Sequence, residues 1–233
     1  NANANFADNI ARELASATRL RLTSAPNKFA ALAGHEPLVS LSGALKTLAV
    51  TLMKIANDLR LLGSGPRAGF AEVMLPANEP GSSIMPGKVN PVIPEAVSQV
   101  AYEVIGNDLS LTLAAEAGQL QLNVMEPLIA WKMFDSIRLL RRAMDMLREH
   151  CVEGITANEE RCRALMEHSI GLITALNPYI GYDNATRIAK LALESGRGVL
   201  ELVREEQLVD DELLADILRP ENMIAPRLVP LKE

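Results

Sequence analysis

The chain has 233 residues, enough for one large domain or two modest ones, with 48% hydrophobic and 22% charged residues, as in ordinary globular proteins. Aromatic residues make up only 3%, so the core must be aliphatic, a composition that favours helix. The net charge of −6, with no basic run, argues against a partner with a phosphate backbone, and nucleic acid is not expected.

In chain order the pattern predicts helices rather than strands. Residues 7–20 form an amphipathic stretch with Asp8 near its start, and residues 28–33 form a short helical piece after the Pro26-Asn27 turn. The most regular signal follows. Leu41, Leu45, Leu48, Leu52, Ile55, Leu59 and Leu62 alternate at spacings of four and three, a heptad seam expected to pack against other helices. Gly63-Ser64-Gly65-Pro66 ends it. Residues 67–80 are irregular, with Pro76 and Pro80 excluding a long helix.

A second long helix is expected to begin between Pro91 and Glu95 and to bury Val97, Val100, Ala101, Val104 and Ile105, with Gly106 or Gly118 as points of interruption. A third runs over residues 127–150 on an apolar line of Ile129, Met133, Ile137, Leu140, Met144 and Leu147. Shorter helices are expected at 159–166, 184–194, 199–206 and 210–218, with turns at Leu176-Asn177-Pro178 and Gly181-Tyr182-Asp183. The fold class is therefore all-α: a long-helix bundle over residues 1–155, then a small C-terminal helical domain over 156–233. The seam is too regular and too wide for one neighbour to cover, so helices of other subunits are expected against it.

No apolar run is read as long enough to cross a membrane, and no signal peptide is evident. Cys151 and Cys162 lie outside any C-x-x-C pair or metal spacing, and reduced thiols packed in helices are expected, as in a cytoplasmic protein. The start at Asn1-Ala2-Asn3, without Met, reads as that of a fragment or a trimmed chain.

The chemistry concentrates in Gly81-Ser82-Ser83-Ile84-Met85-Pro86-Gly87-Lys88-Val89-Asn90-Pro91. Glycines let a loop turn successive N–H groups toward one point, which makes an anion nest. Lys88 adds a full charge, and Asn90 can donate and accept. A carboxylate substrate suits this set. A serine hydroxyl becomes a useful base only where nearby dipoles and a cation stabilise its alkoxide in a dry site. Ser82 or Ser83 in that state could remove a proton from the carbon beside a carboxylate, and loss of ammonia or water from the next carbon would complete a β-elimination. The plainer reading is a flexible Gly-Ser connector with a solvated lysine. A Walker-type phosphate loop is excluded, because Gly87-Lys88 is followed by Val89 and the upstream glycine spacing is wrong.

The whole eleven-residue string resembles the signature of the fumarase/aspartase superfamily. The resemblance extends through Lys54-Ile55-Ala56-Asn57-Asp58-Leu59-Arg60-Leu61-Leu62, Ser64-Gly65-Pro66-Arg67 and Leu176-Asn177-Pro178, and so covers nearly all of this chain, which corresponds to about the C-terminal half of a family subunit. It implies a homotetramer around a large helical bundle, active sites shared between subunits, and reversible elimination from small dicarboxylates to give fumarate, with no organic cofactor and no redox metal. By position, Ser82 matches the family's catalytic base. Ser83, Lys88 and Asn90 match groups that contact the substrate carboxylates or shape the loop. Glu95 matches the acidic residue that pairs with an active-site histidine. That histidine belongs to the other half of the subunit, and His35, His150 and His168 lie in no matching motif.

Two branches of the superfamily compete. Ala25-Pro26-Asn27-Lys28-Phe29 and Leu41-Ser42-Gly43-Ala44-Leu45 look more like the fumarase branch. Pro91-Val92-Ile93-Pro94-Glu95 and the segment from Ala114 to Pro127 are similar to the aspartase branch and lie nearer the loop. The expected reaction is thus loss of ammonia from L-aspartate, with loss of water from malate as the alternative. Members that serve as structural lens proteins supply a third reading, a non-catalytic assembly piece.

Overall fold

A computed structural model of the chain describes residues 2–79, 81, 84–85 and 87–224. Among these it is α-helical, with a single pair of two-residue strands. The chain divides into two compact units: Asn1–Leu61 with Leu75–Ile155, and Leu62–Met74 with Thr156–Glu233.

The first unit holds α1 (Phe6–Thr18), α2 (Lys28–Ala33) and three long helices, α3 (Glu36–Leu62), α4 (Val92–Glu116) and α5 (Glu126–His150). Asn27 caps α2 by accepting from the N–H groups of Phe29 and Ala30. Gly106 does not interrupt α4, which is continuous across it. Three apolar clusters follow one another along the long helices: Leu111, Ala114, Ile129 and Met133; then Ala49, Ala101, Val104 and Leu140; then Ala56, Val97, Ala143, Leu147 and Cys151. Buried and half-buried polar pairs interleave with them. Ser42 Oγ donates to Asp108 Oδ1 at 2.8 Å, Lys46 Nζ reaches Asp108 Oδ2 at 2.5 Å, and Asn107 Nδ2 donates to Ser136 Oγ at 3.3 Å.

The expected apolar lines are buried in large part: Val97, Ala101 and Val104 in α4 and Ile129, Met133, Leu140 and Leu147 in α5 are buried as read, and small residues beside the expected ones are buried as well. In α3 the buried residues are Ser42, Ala49 and Ala56, flanked by half-buried Leu45, Leu52 and Leu59, while Leu41, Leu48 and Ile55 are exposed. In α5 Ser136 and Ala143 are buried, and Ile137 and Met144 are exposed. At these positions the buried residue is a small neighbour of the large one. Where two helices approach most closely small residues fit, and large ones such as Ile129 and Leu140 are buried at other turns of the same helix.

One expectation needs correction. Helix α3 is long and apolar enough, by length and composition, to cross a membrane, with mean hydropathy 1.5 over its most apolar stretch. In this fold its Ser42, Ala49 and Ala56 line pack into the first unit.

The second unit is built on α6 (Glu159–Glu167), α7 (Leu172–Ile180), α8 (Tyr182–Ser195), α9 (Val199–Glu205), α10 (Asp211–Ile217) and the single turn α11 (Pro220–Met223). Its core gathers Leu176, Ile180, Ile188, Leu202, Val203, Leu214 and Ile217. The Leu176-Asn177-Pro178 turn is not found. Those residues lie inside α7, where burial of Leu172, Leu176, Tyr179 and Ile180 outweighs the one backbone bond that Pro178 cannot donate. The break comes at Gly181, whose φ of 81° suits glycine and separates α7 from α8. Strand β1 (Val73–Met74) pairs antiparallel with β2 (Thr156–Ala157), and the Arg161 guanidinium donates to the carbonyls of Gly69 and Phe70 at 3.2 and 3.0 Å. These bonds bring Leu62–Met74 into the second unit. On the surface, Arg187 forks onto both carboxylate oxygens of Glu206, which holds that carboxyl below its usual range.

Candidate functional site

The segment leading into the Gly-Ser-Ser loop is fixed before the loop begins. Leu75 packs on the cluster around Ala56, Val97 and Leu147. Asn78 Nδ2 donates to the His150 carbonyl at 2.9 Å, which ties the segment to the end of α5. A Cβ on Gly154, in the 3-10 turn Val152–Gly154, would stand 2.5 Å from Pro76 Cγ, so only a glycine lets the two approach.

The loop then closes on itself. Gly81 has a φ of 85°, and a Cβ there would fall 2.5 Å from the Lys88 carbonyl oxygen. Both the backbone conformation and the close approach demand glycine at 81. The Lys88 N–H donates to Met85 O at 3.2 Å, and the Val92 N–H to Asn90 O at 2.9 Å, so the chain turns directly from the loop into α4. Lys88 is exposed and Asn90 half-buried. Ser82 and Ser83 lie outside the described residues.

Lys88 and Asn90 sit on the approach to the N-terminus of a 25-residue helix. The aligned peptide dipoles put partial positive charge at that end, adding to the ammonium of Lys88. Among the described residues, no acceptor is bonded to Lys88 Nζ, which leaves it able to meet an external anion. Glu95 stands in the first turn of α4, an electrostatically favoured place for a carboxylate. Its Oε1 lies 3.7 Å from Arg60 Nη2, in the last turn of α3. Sequence reading assigns no role to Arg60 or Asn78. Each acts across a long stretch of chain, and no local spacing signals such a pairing.

The three histidines all occupy helix ends. His35, next to α3, has Nε2 3.4 Å from Glu126 Oε1. His150 is the last residue of α5, and His168 Nδ1 contacts Ala164 O at 2.7 Å at the end of α6. None of them is bonded to Glu95 among the described residues. Cys151 is buried in the first unit's core, where desolvation pushes its thiol pKa up, and Cys162 donates to Glu72 O at 3.4 Å. No three His, Cys, Asp or Glu side chains among the described residues form a group that could hold a metal ion. A groove of about 800 Å³ in the second unit, between α6 and α9, is lined by none of the described loop residues. Two of its charged side chains are already paired, Arg204 with Asp211 and Glu201 with Arg197.

A family profile described as Lyase matches residues 1–106, and one described as Fumarase C C-terminus matches residues 172–225. An aspartate ammonia-lyase of Pseudomonas fluorescens is 80% identical over 194 residues. The chain belongs to the fumarase/aspartase superfamily.

That P. fluorescens match covers 83% of this chain and 41% of the relative. A class II fumarate hydratase of Pseudomonas putida is 56% identical over 226 residues, covering 97% of this chain and 49% of that protein. The crystal structure of a fumarate lyase:delta crystallin from Brucella melitensis, bound to cobalt, superposes with a TM-score of 0.91 at 53% identity, covering 97% of this chain and 49% of that one. The chain thus spans less than half the length of these superfamily relatives.

Proposed function

We propose that this chain is the C-terminal part of a lyase subunit that carries out reversible β-elimination of ammonia from L-aspartate, giving fumarate. The 80% identity to an aspartate ammonia-lyase carries this reading. The loop chemistry supports it: a positive helix terminus and Lys88 suit a dicarboxylate. In this reading Ser82 removes the proton from the carbon beside one carboxylate. The electron pair moves into that carboxylate as an aci-carboxylate, which Lys88 and loop N–H groups stabilise, with Ser83 and Asn90 holding the substrate. The pair then returns to form the C=C bond as the C–N bond breaks and ammonia leaves. Glu95 orients a histidine supplied by the rest of the subunit. The domain limits at 1–155 and 156–233, a cytoplasmic location and a homotetramer with shared active sites belong to the same proposal. This segment alone is inactive in it, since the histidine and the substrate-clamping hydroxyls lie elsewhere.

The second reading is loss of water from malate, again giving fumarate. It is favoured by the fumarate hydratase match, which runs over 97% of the chain. The test is fumarate formation from L-aspartate and, separately, from L-malate by the full-length subunit carrying this sequence. Turnover of malate alone selects the second reading, and turnover of neither refutes both. Ser82→Ala should lower kcat by about 10²–10⁴-fold with assembly intact, the usual contribution of a general base. Near-normal turnover by that variant would remove Ser82 from the mechanism.

A further inference from the structure

The Arg60–Glu95 pair joins the end of one long helix to the start of another. Arg60 lies in the last turn of α3 and Glu95 in the first turn of α4. A cation is favoured at a helix C-terminus and an anion at an N-terminus, so each charge is stabilised by its own helix before the two meet. The separation is 3.7 Å, and both side chains are about two-fifths exposed, so as a stabilising ion pair the contact is worth little. Arg60 Nη1 also reaches Asn57 Oδ1, one helical turn back, at 3.5 Å, which gives the guanidinium plane a second point of reference. Among the described residues no other group bonds to the Glu95 carboxylate. Arg60 faces Oε1, and Oε2 is left to a further partner.

We propose that Arg60 is a positioning residue for the elimination: its guanidinium fixes the Glu95 carboxylate at the head of α4, so that the second oxygen is held ready for the site's histidine. The inference rests on the reading of Glu95 given above. Its physical content is orientational. A glutamate has three side-chain torsions, and a carboxylate that must align an imidazole loses effectiveness when it is free to rotate. A guanidinium nitrogen 3.7 Å from one carboxylate oxygen biases that rotation through charge, and a guanidinium can close to a hydrogen bond or fork when the site is assembled.

The experiment is a kinetic double-mutant cycle in the full-length subunit, with L-aspartate and L-malate as substrates. Arg60→Gln should lower kcat roughly tenfold with KM little changed, since the pair contacts no substrate. Arg60→Lys, which keeps the charge without the fork, should recover part of the loss. Once Glu95 is replaced by Gln, removing Arg60 should cost nothing more, because the two act as one unit. A purely structural Arg60 would instead lower the unfolding midpoint and multiply the Glu95→Gln loss. Wild-type kcat for Arg60→Gln alongside an impaired Glu95→Gln, or losses that multiply, overturns the role of Arg60. Wild-type kcat for Glu95→Gln overturns the reading of Glu95 and the inference with it.

Discussion

Leu111 and Leu113 offer a controlled comparison, since they share one helix, α4, and one side chain but not one environment. Leu111 is fully buried at 0% exposure, between Ala114, Ile129 and Met133, whereas Leu113 is 59% exposed. Truncating Leu111 to Ala removes three carbons worth about 0.8 kcal/mol each in transfer energy, and the cavity left behind brings the total into the range of about 2.7–5 kcal/mol. The same truncation at Leu113 removes carbons that are already mostly in water, leaves no cavity and gains slightly in helix propensity, for a loss of less than about 1 kcal/mol. The folded-to-unfolded ratio should therefore fall by about 100-fold or more at Leu111 and less than about sixfold at Leu113, as RT converts those energies. Urea unfolding of this chain, followed by far-UV circular dichroism at one protein concentration, measures both. Equal midpoint shifts would refute the assignment of the α4 core face. A larger loss at Leu113 would mean that its exposed face is covered in solution.

Two further outcomes follow from local contacts. Asn123 is 1% exposed, donates to the carbonyls of Ala114 and Ala115 at 3.0 and 3.2 Å, and accepts from the Met125 N–H at 2.8 Å. Asn123→Ala strands those groups and should cost about 2–3 kcal/mol, with faster amide exchange at the end of α4 and the start of α5; unchanged exchange there would refute the role of these three bonds. Iodoacetamide should label Cys162 well before Cys151 in the folded chain. Because burial raises the Cys151 pKa, its thiolate fraction at a given pH is reduced, and its labelling should rise only at higher pH or on unfolding. Equal rates at neutral pH would contradict the burial of Cys151.

Most helices were legible in the sequence, because their signals are local. The short α2 matches its expected limits, and α3 and α5 follow from apolar periodicity, with Gly63-Ser64-Gly65-Pro66 ending α3. Their buried faces were legible in part, since Ile129, Met133, Leu140 and Leu147 are buried as expected. Elsewhere, ranking positions by hydrophobicity selects Leu48, Ile55, Ile137 and Met144, whereas packing within this chain selects Ala49, Ala56, Ser136 and Ala143. Size, not polarity, decides which residue fits where two helices approach most closely, and periodicity does not record size. Helix α7 was missed because its proline reads as a breaker and its support comes from α8 and α9, later in the chain. At the candidate site, glycine, lysine and asparagine announce the loop through their own chemistry. Arg60 and Asn78 matter through partners far along the chain, and single-residue properties do not reveal them.

The second unit is discontinuous, and this affects how the molecule can come apart. The chain passes between the units three times, at residues 61–62, 74–75 and 155–156. One protease cut after Ile155 therefore leaves Leu62–Met74 covalently part of the other piece, yet still bonded through β1–β2 and the two Arg161 carbonyl contacts. The products would travel together on a sizing column and separate only in denaturant. A C-terminal piece expressed from Thr156 onward would begin at a bare strand edge, open to whichever chain pairs with it first.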